Sequence, residues 1–240
     1  MPSRPRTVLI TGASRGLGLE LTRLYAQRGW MTFPLVRRGE DAAAFSCAPL
    51  QHCHPITADV THDDADAAVR DTLTKHTSSL DVLINNAGFA GQTYTVDELT
   101  VEEASALIDV HCLGVVRITK AALPWLRKSD RARIVNVTSR LGSTARNASG
   151  EFVGKPFTYA YRLAKAAQNM FTLCLHQELS ESGLCVFALH PGELLTDTGS
   201  YDARTTADEA AQRIADLIER ADATHSGQCF DAITGEVIPW

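Results

Sequence analysis

The feature that most limits how this chain can fold is an alternation of two periods. Apolar runs of four to six residues, at 8–11, 31–36, 54–57, 82–85, 133–138 and 185–190 with a weaker one at 228–232, are separated by longer segments of different rhythm. In those segments, 17–28, 65–76, 101–127, 159–180 and 207–220, apolar residues recur every three or four positions. Continuous short runs suit strands buried on both faces, and the three-to-four period suits amphipathic helices. Strand and helix in strict alternation build crossover units that feed a parallel sheet. The expectation is a single α/β domain over residues 1–240, a doubly wound parallel sheet of about seven strands with helices on both faces. Two stretches break the rhythm. Residues 39–51 leave room only for a short or frayed helix, and residues 140–157, rich in Gly, Ser, Ala and Asn, are expected as a long loop of the kind that serves as a lid or binding loop. Thr100 and Glu103 stand at capping-box spacing ahead of the third helical segment.

Directly after the first run comes Thr11-Gly12-Ala13-Ser14-Arg15-Gly16-Leu17-Gly18, and helical period begins at Gly16. A strand before and a helix after make this the context of a dinucleotide site. Gly12 can take the positive φ of a tight turn, Gly16 lets backbone approach a pyrophosphate, and Gly18 permits close packing of helix on sheet. The helix N-terminus then offers free N–H groups to an anion. Candidate cofactor contacts are therefore Gly12, Ser14, Arg15, Gly16, Leu17 and Gly18. At the end of the second run, where an acid would accept from a ribose 2′-hydroxyl, the chain reads Val36-Arg37-Arg38. Arg15, Arg37 and Arg38 put guanidinium groups where a 2′-phosphate would lie, which favours NADP(H) over NAD(H). The plainer alternative is that these arginines are solvated surface residues.

Tyr161 and Lys165 are four apart in a helical segment, so they project from one face. Of the five tyrosines, only Tyr161 has a lysine at that spacing. A phenol titrates near pH 10, and a fixed ammonium beside it has the sign needed to lower that value toward neutrality. Ser139 follows the fifth run, and a hydroxyl at the C-terminal end of such a strand faces the usual crevice of an open α/β sheet.

Taken together, the glycine turn, Asn85-Asn86-Ala87-Gly88, Ser139 and the Tyr161/Lys165 pair resemble the short-chain dehydrogenase/reductase family, over nearly the whole of residues 7–240. Within it the chain looks most like the branch of sniffer-type carbonyl reductases and C-factor-like proteins. Three features carry this: Tyr159-Ala160-Tyr161-Arg162 with Lys165, the 22-position gap from Ser139 to Tyr161, and Thr234-Gly235-Glu236-Val237-Ile238-Pro239-Trp240 at the end. The resemblance implies a Rossmann-type fold with an enlarged active-site loop, in which Phe152, Val153 and Phe157 are candidate pocket walls. It implies that Tyr161 gives a proton to a carbonyl oxygen, Ser139 binds that oxygen, and Lys165 also holds the nicotinamide ribose. It places Asp59 and Val60 beside adenine, Asn86, Ala87 and Gly88 at the cofactor, and Pro191, Gly192 and Thr196 at the nicotinamide carboxamide. His111 stands where the family has an asparagine in a local helix distortion, and is a candidate member of the catalytic set. Whether it titrates as a proton shuttle or is a structural histidine stays open at this level.

The composition excludes other classes. With 23 basic against 28 acidic residues, a net charge of -5, no global positive field would hold nucleic acid. No run approaches the roughly 18 apolar residues of a membrane span, and the leading arginines precede too short an apolar run for a secretory signal. Six cysteines are scattered without a Cys-x-x-Cys pair, as expected of reduced thiols in the cytoplasm. The cluster Cys47, His52, Cys53, His54 lacks the separated pairs a zinc site needs, and no metal is expected. The expected partner is a small carbonyl or alcohol substrate. The long helices can be solvated or can pair in a homodimer or homotetramer. A second reading is a nucleotide-binding signalling protein of C-factor type with little or no catalysis.

Overall fold

A computed structural model describes residues 4–46, 52–195 and 205–240. Its strands are β1 (Thr7–Thr11), β2 (Met31–Val36), β3 (Ile56–Thr57), β4 (Val82–Asn85), β5 (Arg133–Val137), β6 (Cys185–His190) and β7 (Cys229–Asp231). They form one parallel sheet in the order β3-β2-β1-β4-β5-β6-β7. The helices are α1 (Gly16–Gln27), α2 (Gly39–Ser46), α3 (Ala65–His76), α4 (Val101–Ile108), α5 (Gly114–Leu126), α6 (Thr144–Ala148), α7 (Tyr159–Leu179) and α8 (Ala207–Arg220).

β1 shows why the apolar runs are continuous. Val8 and Ile10 pack with Leu21 and Tyr25 of α1 and Ile214 and Ile218 of α8, while Leu9 between them packs with Val69 of α3, Ile118 of α5 and Leu175 of α7. Strand side chains alternate between faces, so a sheet covered on both sides needs an apolar residue at every position. Pro34 is tolerated in β2 because Thr32 and Val36, the residues in its phase, bond toward the β3 side, where pairing is broken into an isolated bridge at Cys53 and the two residues of β3. Its missing N–H therefore falls in a gap of the ladder.

Three sequence expectations are corrected. The segment 101–127 is not one helix: a π-helical turn, Asp109–Leu113, separates α4 from α5. In a regular helix an 11-residue spacing would put Leu107 and Ile118 on one face. The wide turn offsets them, so Leu107 joins Ala160 and Ala164 of α7 while Ile118 joins the sheet core. The loop expected at 140–157 begins with a 3-10 turn, Arg140–Gly142, and then α6. Ser143 caps α6 by accepting from Arg146 N, and Asn147 Nδ2 donates back to the carbonyls of Leu141 and Ser143. The capping box at Thr100 is only half used. Thr100 Oγ1 accepts from Glu103 N at 3.1 Å, but the Glu103 carboxylate accepts from Gln92 N, Thr93 N and Thr93 Oγ1 and so holds the segment after β4. Among the described residues no helix is long and apolar enough to cross a membrane.

Candidate active site

Strand order reverses at β1, which lies between β2 and β4, and the crevice of such a sheet opens beyond the C-terminal ends of β1 and β4. The glycine turn leaves β1 there. Gly12 has φ +66°, and a Cβ on it would lie 2.7 Å from Ala87 Cα, so both its conformation and the close approach of the β4 exit exclude a side chain. The turn is stapled to that exit by a residue the sequence reading did not single out. The buried Thr11 hydroxyl accepts from Asn86 N at 2.9 Å and Ala87 N at 3.0 Å, while Asn86 Nδ2 donates to Thr11 O and Gly12 O. Its only signal was a hydroxyl closing the strand. Ser14 and Arg15 are exposed on the turn, Leu17 and Gly18 are buried, and the side chain at the N-cap position, Arg15, makes no capping hydrogen bond to α1. Those N–H groups, above a turn in which Gly12 and Gly18 leave no room for a Cβ, fit a pyrophosphate.

At the ends of β2 and β3 a cavity of about 320 Å³ is lined by Arg37, Thr57, Ala58, Asp59, His62, Asp64 and Ala68. Two pairs anticipated from sequence divide here. Arg37 lines the cavity, whereas Arg38 is bound to Asp41 through Nε and Nη2 and to Glu40 through Nη1. Asp59 lines the cavity and accepts from Thr61 N and Oγ1, whereas Val60 packs in the core against Gly114. A larger groove of about 740 Å³ between α1 and α8 contains none of the anticipated residues.

Ser139 ends the β5 segment and Tyr161 and Lys165 lie on the first turns of α7, so the three meet at the open end of the central strands. The Ser139 hydroxyl accepts from Leu141 N at 3.2 Å and interacts with the Tyr161 hydroxyl. Lys165 is 4% exposed; its Nζ lies 5.7 Å from the Tyr161 ring centroid and donates to Val137 O at 2.7 Å and Gln168 Oε1 at 2.9 Å. Burial pushes Tyr161 up to about 12, with Ser139 acting the other way, and burial brings Lys165 down to about 7. The expectation that the lysine lowers the phenol is therefore corrected: burial sets the direction, and the opposing influence is the Ser139 hydroxyl rather than Lys165.

His111 lies in the π turn, 2% exposed, with its ring edge-on to Tyr161 at 5.3 Å between centroids. Its Nε2 is 2.8 Å from Phe89 O and 3.3 Å from Phe89 N; the shorter contact makes Nε2 the protonated nitrogen and Nδ1 an acceptor, and the buried Nδ1 has no partner among the described residues. Burial and the charge of Lys165 bring its pKa down to about 3. That keeps the ring neutral at physiological pH, which favours the structural histidine over the shuttle. It also explains Gly88, where a Cβ would lie 2.3 Å from His111 Cε1.

At the end of β6, Pro191 and Gly192 are half-buried, and Arg140 forms an ion pair with Glu193 across the mouth. Thr196 lies outside the described residues. Of the pocket walls anticipated from the enlarged loop, Phe152 is buried edge-on to Phe157 at 5.5 Å, whereas Val153 is 82% exposed.

Residues 6–207 match the family described as short chain dehydrogenase. The C-signal of Myxococcus xanthus is 36% identical over 164 residues, covering 68% of this chain and 95% of its own. Short chain dehydrogenase gsfK of Penicillium aethiopicum is 31% identical over 258 residues, covering 98% of this chain and all of its own. Among solved structures, an NADPH-bound carbonyl reductase from chicken fatty liver and the carbonyl reductase Sniffer of D. melanogaster each superpose with a TM-score of 0.87 at 27% identity, covering 99% of this chain and 100% of theirs.

Proposed function

The chain belongs to the short-chain dehydrogenase family, and from that premise we propose that it is an NADPH-dependent reductase of aldehydes or ketones, reversible in principle, with Tyr161 as proton donor. The observation that carries this is the meeting of the Tyr161 and Ser139 hydroxyls, with Lys165 one turn behind, beside a glycine turn shaped for a pyrophosphate. NADPH, when bound, supplies the hydride that forms the new C–H bond. The chain's part is proton and position. Tyr161, pushed up to about 12, keeps its proton at neutral pH and is in the state a donor needs. A carbonyl oxygen seated between Ser139 and Tyr161 accepts from both hydroxyls, which stabilise its negative charge as hydride arrives. Transfer of the Tyr161 proton to that oxygen leaves a phenolate, and the Lys165 ammonium stabilises it until a solvent proton replaces the one lost. Arg37 supports the preference for NADPH over NADH, because it alone of the Arg37/Arg38 pair lines the cavity beyond β2. Five described cysteines, all free, support a reducing cytoplasmic setting.

The test follows NADPH and NADH absorbance with a panel of aldehydes, ketones and quinones. Tyr161→Phe should bind NADPH within about twofold of wild type and lose turnover by about a thousandfold, as expected on removing a general acid. Retained turnover would assign the proton to another group. Likeness to the C-signal favours a second reading, a nucleotide-binding signalling protein with little chemistry. In that case NADPH would raise the melting temperature while no carbonyl in the panel is reduced.

A further inference from the structure

Lys165 is a buried amine, and among the described residues no carboxylate is paired with it. The titratable groups facing it are Tyr161 on its own helix, His111 from the π turn and His190 from the end of β6, and none carries a negative charge at neutral pH. Burial also lowers His190, with Asp231 pulling the other way. What favours a positive charge here is a pair of oxygens, Val137 O at 2.7 Å and Gln168 Oε1 at 2.9 Å. The first is backbone and comes with the fold. The second is a side-chain amide, 1% exposed, three residues on along the same helix face. The backbone that carries it is tied to the interior: Thr172 Oγ1 donates to the Gln168 main-chain O at 3.0 Å, Asn136 Nδ2 donates to Thr172 Oγ1 at 2.9 Å, and Asn85 Nδ2 donates to Asn136 Oδ1 at 2.9 Å. An ammonium has three N–H donors. Two are committed to the interior, and the third is left for the side that holds Tyr161.

We propose that Gln168 is a positioning residue for Lys165: its side-chain oxygen favours the charged amine in a site that holds no counter-ion and aims the remaining N–H toward Tyr161. The consequence for turnover rests on the reductase reading; the hold on the amine does not. The full chain, labelled with carbon-13 at lysine Cε, gives only five lysine signals, and Lys165→Met identifies the one that matters. Titration of that signal is compared in wild type, Gln168→Met and Gln168→Glu. Gln168→Met nearly conserves volume and removes the acceptor, so the Lys165 midpoint should fall by about one pH unit or more, the size expected for one hydrogen bond to a charged group. Gln168→Glu supplies a carboxylate at the same place and should raise it. Since the ammonium is the working form, the alkaline limb of the NADPH-dependent kcat should move with the midpoint, to lower pH in the first variant and to higher pH in the second. Equal midpoints in all three proteins would overturn the proposal, as would a loss of turnover with no change in midpoint. If Gln168→Met shows no melting transition, Gln168→Glu, which is nearly isosteric with the native residue, decides by itself. Opposed midpoint shifts in a protein that reduces no carbonyl would retire the reductase reading and leave this one standing.

Discussion

The two ends of the same parallel sheet treat buried charge in opposite ways. At the N-terminal end Asp81, 1% exposed, accepts from both terminal nitrogens of Arg4, from Thr7 N and Oγ1, and from Ser129 Oγ. Burial alone would raise its pKa, but Arg4, Ser129 and Thr7 outweigh burial and the net direction is down. At the C-terminal end, among the described residues, Lys165 has two neutral acceptors and no counter-ion, and the buried Nδ1 atoms of His111 and His190 have no partner. A charge that only holds strands together is best fully satisfied. A charge that must exchange protons or meet a ligand keeps capacity in reserve, and the fold carries the cost of that.

The contrast can be broken by removing one charge from each end. Lys165→Met should abolish turnover, by about a thousandfold, without lowering the melting temperature. The sign of its stability effect follows from linkage. Lys165 titrates at about 7 in the folded chain against an ordinary lysine value of 10.5, so the burial penalty on the ammonium is full below pH 7 and disappears as pH rises toward 10.5. Lys165→Met should therefore stabilise most below pH 7 and least near pH 10, as read by denaturant midpoints. Asp81→Ala should do the reverse, costing about 3 kcal/mol of stability because it strands the buried Thr7 N–H, with kcat unchanged in the folded fraction. Its folded pKa is lowered from 3.8, so that contribution is present above pH 3.8 and is lost as pH falls through the folded value, and the difference between Asp81→Ala and wild type should narrow there.

The same distinction sharpens at neighbouring arginines. Arg37→Ala should raise KM for NADPH about tenfold, the scale of one charge-assisted hydrogen bond, and leave KM for NADH unchanged. Arg38→Ala should raise it less than threefold, because Arg38 is already bound to Asp41 and Glu40. The smallest effect is expected at His111. With a pKa near 3 it does not titrate between pH 5 and 8, so His111→Asn should change kcat by less than about threefold and leave the shape of the pH–rate profile intact. A missing limb in that profile would return the histidine to the proton path.

Much of this was legible in the order of the residues. Six of the seven apolar runs fall within one residue of strand bounds; the run at 54–57 shrinks to Ile56–Thr57, because Pro55 falls opposite Pro34 and neither has an N–H for the ladder. The glycine turn was legible because φ +66° at Gly12 is a demand on one residue by its own backbone. The π turn was not legible from period alone: it re-phases α4 and α5 toward two different partners, and only the partners reveal the need. The Glu103 side chain misled for a related reason. Its spacing from Thr100 suited a cap, but Gln92 and Thr93, brought alongside by the β4 exit, offered better donors.

Taken alone, the amino-acid order determined the sheet, the nucleotide turn and the Tyr161/Lys165 pair, because each is written in residues only a few positions apart, where periodicity and backbone conformation are local matters. Tertiary structure decided the rest: that Lys165 reaches Val137 O and Gln168, that Arg37 faces a cavity while Arg38 does not, and that His111 is neutral. Those outcomes depend on desolvation and on distances between groups far apart in the chain, and neither exists until the chain has folded.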